Sequence, residues 1–182
     1  MILRLDEGTV LKRLDESDTT YIFTAIDTQR EYLGKWLPFV AVTREISETT
    51  KYIDSVINAP EDRPEYIFTI WKNGVYAGLV GLKAIDTLNK RTEIGYWLSE
   101  EFQKQGIMTR AVSRLCEFGF GDLGLNRIQI KCAVGNIPSI NIAKRLGFKF
   151  EGIERDGELL DNGYTDLEVY SKLKSEFIST KE

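Results

Sequence analysis

Residues 103–111, QKQGIMTRA, join two features that together can hold an anion. The segment follows an apolar run, EIGYWL at 93–98, that reads as a β-strand. It leads at once into Met108, Ala111, Val112, Leu115 and Phe118, which share one helical face. The first amides of a helix lack intrahelical partners, and the helix dipole adds positive potential there. Amides from Gln105 to Arg110 can then converge on an anion, with Gly106 permitting close approach. The same glycine equally serves a plain strand-to-helix turn, so both readings stand on the local pattern. A second glycine pattern, GFGDLG at 119–124, has dinucleotide spacing but closes a helix and precedes a strand. The fingerprint needs the reverse order, so capping and turn roles fit these glycines better.

The chain has 182 residues, no histidine, and 24 basic against 28 acidic residues. Without histidine there is no Ser-His-Asp or Cys-His nucleophile pair, no HExxH metal site and no histidine base. Proton transfer falls to carboxylates, tyrosines, hydroxyls or water. Cys116 and Cys132 form no CxxC pair, and no metal site is expected. Cys132 reads as a small core residue and is assigned no catalytic step. The formal charge of -4 and the lack of a basic run argue against nucleic acid as a partner and suit a cationic acceptor. No apolar run approaches the roughly 20 residues of a membrane-spanning helix, and the first residues carry no leader pattern. A soluble, cytoplasmic, single-domain protein over 1–182 is therefore expected, with no membrane partner.

The elements that must position these groups can be read from the period of the apolar residues. Residues 9–14 read as extended, with Asp15 or Ser17 placed to cap a helix over 19–27. A second helical piece over 29–35 stops before Pro38, and a third spans 44–58. Tyr66, Phe68 and Ile70 then alternate with Ile67, Thr69 and Trp71, and Asn73-Gly74 supplies the positive-φ pair of a tight hairpin back over 75–85. Another strand covers 91–98, and the helix from Met108 ends at Gly119 or Gly121. A strand over 127–134, a short helix over 139–146 and strands near 148–155 and 165–173 complete the chain. This order is that of an α/β (α+β) fold.

EIGYWL, Gln103-x-x-Gly106-x-Met108, LGLNRI, Asn136-x-x-Ser139 and AKRLGF occur in the order and spacing of one family. Over residues 91–150 the chain resembles the GNAT superfamily of N-acetyltransferases, and within it the RimJ/RimL branch. KRLDESD, YLGKWLPF and DLEVYSKL extend the likeness over nearly the whole chain. The resemblance implies a GNAT fold: a central mixed, mostly antiparallel sheet of six to seven strands, helices on both faces, splayed between the fourth and fifth strands. Met108 stands where the wider superfamily usually has glycine or alanine; a cradle of backbone amides tolerates this if the side chain turns into the core.

The resemblance also implies an acetyl-CoA cosubstrate. Gln103, Lys104, Gln105, Gly106, Ile107, Met108 and Thr109 would form its pyrophosphate loop, and Tyr96, Trp97 and Leu98 would pair with the pantetheine arm. An amide of Trp97 or Leu98 would stabilise the oxyanion. Asn136 would bond the pantetheine arm, and Ser139 would sit near the sulfur and donate a proton to the leaving thiolate. Asn141 and Lys144 would touch the nucleotide end. The local sequence also reads Asn136 as a helix cap with Pro138 in the first turn, a role compatible with the first.

The acceptor amine must lose a proton. Strand alternation puts Glu93, Gly95 and Trp97 on one face and Ile94, Tyr96 and Leu98 on the other, making Glu93 the candidate base. A cross-strand pair with a lysine or arginine accounts for Glu93 equally well. By resemblance the acceptor is the N-terminal α-amino group of a protein, of the ribosomal-protein type. The alternatives are a small-molecule amine (polyamine, aminoglycoside or toxic aminoacyl compound) or a non-catalytic acyl-CoA-binding module. Glu151, Glu154, Asp156, Glu158, Asp161 and Asp166 read either as an acidic acceptor groove or as a solvated hairpin. The branch is often dimeric, and YLGKWLPF supplies aromatic surface for a homodimer interface, for the acceptor groove or for the core.

Overall fold

A computed structural model describes residues 1–179; residues 180–182, the end of the expected 1–182 domain, lie outside the described residues. The chain opens with a hairpin, β1 (Ile2–Arg4) and β2 (Thr9–Arg13). Asp15 caps a following 3-10 turn by accepting from the Ser17 amide at 2.9 Å, and α1 (Thr19–Thr28) continues from it. α2 (Arg30–Gly34) ends ahead of Pro38, and α3 (Phe39–Val42), a single turn, begins directly after that proline. A fixed φ near −65° suits proline to the start of such a turn. α4 (Ile46–Ile57) starts with a reciprocal cap between Glu45 and Glu48.

The alternating region then forms β3 (Tyr66–Lys72) and β4 (Val75–Asp86), joined at Asn73 (φ 49°) and Gly74 (φ 79°) as the hairpin signal required. β5 (Arg91–Leu98) follows, then α5 (Ile107–Glu117), β6 (Arg127–Ala133), α6 (Ile137–Arg145), β7 (Lys149–Leu160), β8 (Gly163–Leu173) and α7 (Lys174–Ser179). The sheet runs β1-β2-β3-β4-β5-β6-β8-β7, antiparallel throughout except for β5 beside β6. α5 is the crossover that this parallel pair requires.

Strand alternation divides the core in two. Phe68, Ile70, Val80, Leu82, Ile94, Ile128 and Ile130 face α5 and α6, where Ile107, Val112, Leu115 and Ala143 meet them. Ile67, Leu79 and Trp97 point the other way and pack with Ile22, Leu33, Val40, Ile53 and Val56 of α1–α4. Each large aliphatic side chain so buried contributes roughly 1.5–3 kcal/mol.

Three expectations change and one is narrowed. The sheet has eight strands rather than six to seven, because β1 pairs with β2 over Ile2↔Lys12 to Arg4↔Val10; three residues are too few to show a period. Not counting that strand, the parallel junction does fall between the fourth and fifth. α3 and α7 are additions for the same reason of length. β7 and β8 run longer than 148–155 and 165–173, joined through Leu160↔Gly163. Finally, of the two ends expected for the helix, Gly119 and Gly121, the first is passed and the run ends at Asp122, beside the second. The last part is a π turn over Phe118–Asp122, and a Cβ on Gly119 would lie 2.9 Å from Ile128 Cδ1, so the glycine serves close packing. Only Gly124 of GFGDLG takes a left-handed turn, φ 63°.

Candidate active site

β5 and β6 pair at Arg91↔Arg127, Thr92↔Ile128 and Glu93↔Gln129, then separate, while β6 stays paired with β8 to Ala133↔Leu167. Beyond Glu93, that edge of β5 is open. Ser99 donates its amide to Ala77 O on the β4 side at 2.8 Å. Backbone groups alternate sides along a strand, so Leu98 turns its amide and carbonyl toward the gap. The Tyr32 hydroxyl donates to that carbonyl at 3.1 Å, leaving its second lone pair open. The gap widens into a cavity of about 600 Å³ between β5, the turn after it and α6.

The turn has the shape its sequence suggested. Lys104 (φ 59°) and Gly106 (φ 69°) are both left-handed, and Gly106 starts α5 with no side chain capping it. The first bond within the helix is Arg110 N to Gly106 O at 3.1 Å, so the amides of Ile107, Met108 and Thr109 have no intrahelical acceptor. The Met108 side chain is buried in the core, leaving only its backbone at the turn. Arg110 braces the loop from behind: Nη1 donates to Gln105 O at 3.1 Å, and Nη2 reaches Asp6 at 3.0 Å. Converging free amides at the positive end of a helix dipole fit a diphosphate.

Tyr96, Trp97, Leu98, Gln103, Lys104, Gly106, Ile107, Met108, Thr109, Asn136, Ser139 and Asn141 line this cavity. Gln105 does not: its carbonyl is taken by Arg110, and its Nε2 donates to Glu101 O at 3.1 Å. Lys144 is exposed on α6, and Arg145 lines the cavity in its place, one helical residue of about 100° further round.

At its wall three neutral X–H groups meet, Tyr96 and Ser139 lining the cavity and Cys132 buried behind them. Tyr96 Oη and Ser139 Oγ are 2.9 Å apart, and Cys132 Sγ lies 3.1 Å from the same serine oxygen. Asn136 Oδ1 accepts from the Ser139 amide at 3.3 Å, the helix-cap role read from sequence. Burial raises the Tyr96 phenol far above its ordinary range, and Cys132 adds to the shift. Burial likewise pushes the Cys132 thiol up to about 11, although its bond to Ser139 works against the shift. All three groups keep their protons near neutrality, so Ser139 can give one up and be resupplied by a neighbour.

A second cavity, about 570 Å³, lies on the opposite face of the sheet and shares Leu37, Tyr96 and Trp97 with the first. YLGKWLPF is the partition: Tyr32, Leu33 and Trp36 line the first cavity, Pro38 and Phe39 the second, and Leu37 both. Three carboxylates reach the second cavity, Glu48, Glu65 and Glu158. Glu48 is committed to the start of α4, where it accepts from the Arg44 and Glu45 amides at 2.6 and 3.0 Å. Glu158, half-buried on β7, has its carboxyl raised by burial and by Glu93, with Lys83 and Lys131 pulling the other way.

Glu93 itself lines neither cavity. Its carboxylate is 2.7 Å from Lys83 Nζ and accepts from Gln129 Nε2 at 3.1 Å, the cross-strand charge pair that the sequence left open. Two acids of the hairpin are ion-paired, Glu151 with Arg127 (and Ser171) and Glu154 at 2.6 Å from Lys131, while Asp166 accepts from the Asp156 amide at 2.8 Å. Only Glu158 of that group enters a cavity. Sequence reasoning did not single out Tyr32, Trp36 or Arg145; the aromatic run YLGKWLPF was the available signal for the first two. Among the described residues no cluster of metal-ligating side chains occurs, and no helix is long and apolar enough to cross a membrane.

A family model described as an acetyltransferase (GNAT) domain matches residues 9–149. The N-acetyltransferase YdaF of Bacillus subtilis (strain 168) is 34% identical over 187 residues, covering 98% of this chain and 98% of its own. Among solved structures, RimL, a ribosomal-protein α-N-acetyltransferase bound to coenzyme A through a cysteine disulfide, superposes with a TM-score of 0.91 at 27% identity, covering 97% of this chain and 99% of its own. The microcin self-immunity acetyltransferase MccE, bound to acetyl-CoA and AMP, gives 0.86 at 30% identity over 94% and 95%. The splayed sheet and the diphosphate-shaped turn agree with these matches: this chain belongs to the GNAT acetyltransferase family and is an acetyl-CoA-dependent N-acetyltransferase.

Proposed function

We propose that the acceptor is the N-terminal α-amino group of a protein, of the ribosomal-protein type, and that transfer takes place at Tyr96 and Trp97. The observation that carries this is the shared wall. One cavity has a diphosphate cradle at its far end, the other has free carboxylates, and they meet only at Leu37, Tyr96 and Trp97. RimL, similar over nearly its whole length, acts on the α-amino group of a ribosomal protein, which supports the same acceptor class here.

Acetyl-CoA supplies the activated acetyl group as a thioester. Ile107, Met108 and Thr109 amides hold the diphosphate, and the open edge of β5 aligns the arm. The Leu98 amide faces the gap and is the oxyanion donor, a contribution of about 3–4 kcal/mol by comparison with other such donors. Glu158 takes the proton from the attacking amine, directly or through one water, because it lines the acceptor cavity and burial raises its basicity. Glu93 holds Lys83 beside it. As the carbon–sulfur bond breaks, Ser139 gives its proton to the thiolate and recovers one through Tyr96, which is resupplied from solvent, where the proton taken from the amine is in turn released. No acetyl-cysteine is needed, since the Cys132 thiol stays protonated.

A small-molecule amine is the second reading, favoured by the carboxylates Glu65 and Glu158 in the cavity and by the AMP seen with MccE. Thiol release from acetyl-CoA against peptides with free serine or alanine N-termini, spermidine and aminoglycosides separates the two. Release with peptides alone supports the N-terminal reading, and release with small amines alone replaces it.

A further inference from the structure

The acceptor cavity is much larger than a terminal serine or alanine needs. Its volume of about 570 Å³ falls within the roughly 300–1,000 Å³ of pockets that enclose whole ligands, whereas such a terminus brings only a methyl or hydroxymethyl group. The deepest part of its wall is apolar: Ile22 and Ile26 of α1, Ile67 of β3 and Leu79 of β4 are 1–6% exposed. The polar lining is nearer solvent, with Lys83 exposed and Glu65 and Glu158 half-buried.

Two buried threonines depart from this division; the Thr43 hydroxyl donates to Phe39 O at 2.8 Å, but that of Thr49 is unpaired. Thr49 of α4 lines the cavity and is 2% exposed, yet its Oγ1 has no hydrogen-bond partner. Its neighbour Thr50 donates in the usual helical way to Ile46 O at 3.2 Å. A shielded hydroxyl without a partner costs stability in the free protein. A helical threonine has two accessible χ1 wells, so this hydroxyl can turn toward whatever fills the cavity.

We propose that this cavity is a subsite for a bulky apolar side chain at the second position of the acceptor N-terminus, with the Thr49 hydroxyl hydrogen-bonding the acceptor backbone beside it. This rests on the N-terminal reading above. The reactive amine lies at Tyr96 and Trp97, and the next residue has the apolar floor before it. A charged side chain there would leave water without a counter-charge among Ile22, Ile26, Ile67 and Leu79. A partner arriving with the acceptor gives the unpaired Thr49 hydroxyl a use.

The test is kcat/KM for peptides beginning Ser-Leu, Ser-Asp and Ser-Lys, otherwise identical, with wild-type protein, Thr49→Val and Thr49→Ser. Ser-Leu is expected to exceed both charged peptides by at least about tenfold. Thr49→Val is expected to raise KM for the Ser-Leu peptide about fivefold to tenfold, leaving KM for acetyl-CoA and the melting temperature no worse, while Thr49→Ser retains the wild-type KM. Equal turnover of the three peptides, a preference for Ser-Lys, or an unchanged KM in Thr49→Val overturns the subsite and leaves the N-terminal reading intact. Turnover of spermidine with none of the peptides overturns both.

Discussion

Tyr96 on β5 and Ser139 on α6 share a hydrogen bond of 2.9 Å across the gap where β5 and β6 part. The bond joins the strand that lines both cavities to the helix that closes the first. It places a phenol that is protonated near neutrality next to the hydroxyl proposed to protonate the leaving thiolate.

Ser139→Ala is expected to lower kcat about tenfold with little change in acceptor KM. A thiol of solution pKa near 8.5 leaves without much help, so the loss falls short of the usual general-acid range. Tyr96→Phe should cost less, and the double variant no more than Ser139→Ala, because the phenol acts through the serine. Steady-state thiol release measures all three; full kcat in Ser139→Ala would remove the serine from the proton path.

Glu158→Gln is expected to lower kcat about 100-fold. A base works deprotonated, so activity falls on the acid side as Glu158 protonates. Burial raises that carboxyl, which puts the limb above the ordinary glutamate value of about 4.3. The limb should vanish in Glu158→Gln. Glu93→Gln should lower kcat less than tenfold through the position of Lys83, 2.7 Å away. A pH–kcat profile that keeps its acid limb in Glu158→Gln and loses it in Glu93→Gln would reverse the assignment.

Gly106→Ala places a Cβ at φ 69° and 3.0 Å from Arg110 Nη1. Strain of about 1–2 kcal/mol and a displaced Arg110 should distort the cradle. The dissociation constant for acetyl-CoA, by calorimetry, is expected to rise at least about tenfold. Acetyl-pantetheine has no diphosphate, and its binding should be unaffected; equal losses for both would show a general disruption instead.

Glu151 is held down to about 2, first by its bonds from Arg127 at 2.5 and 2.6 Å and then by Ser171. Its folded value lies below the unfolded value of about 4.3, so the stabilisation is complete above that range. It is lost as pH falls toward about 2. The side chain is 40% exposed, so solvent screening limits the effect to about 1 kcal/mol or less. Glu151→Gln should therefore melt slightly lower than wild type at pH 7 and indistinguishably at pH 2; a difference that grew toward acid would contradict the pairing.

Much of the site was legible in local pattern. The bounds of β5, the Asn73-Gly74 hairpin, the glycine at the start of α5 and the Asn136 cap all depend on residues within a few positions of one another, where steric and hydrogen-bond preferences act directly. The choice between Gly119 and Gly121 as the helix end stayed open for the complementary reason. Glycine's local preference pointed to a cap, while a neighbour across the sheet, Ile128, required a residue without a side chain.

The sequence by itself determined that no histidine chemistry occurs, that a glycine turn leads from a strand straight into a helix at Gly106, and that Glu93 faces away from Tyr96. Only the tertiary structure decided which carboxylates line the second cavity, that Tyr32 holds the Leu98 carbonyl, and that Tyr96, Cys132 and Ser139 meet. Glu158 is one acid among several in its hairpin and carries no local mark; it reaches the cavity because β7 pairs with β8, which pairs with β6. Such contacts join residues dozens of positions apart, and sheet register and the parting of two strands set them, whereas a periodic pattern specifies only which face a side chain is on.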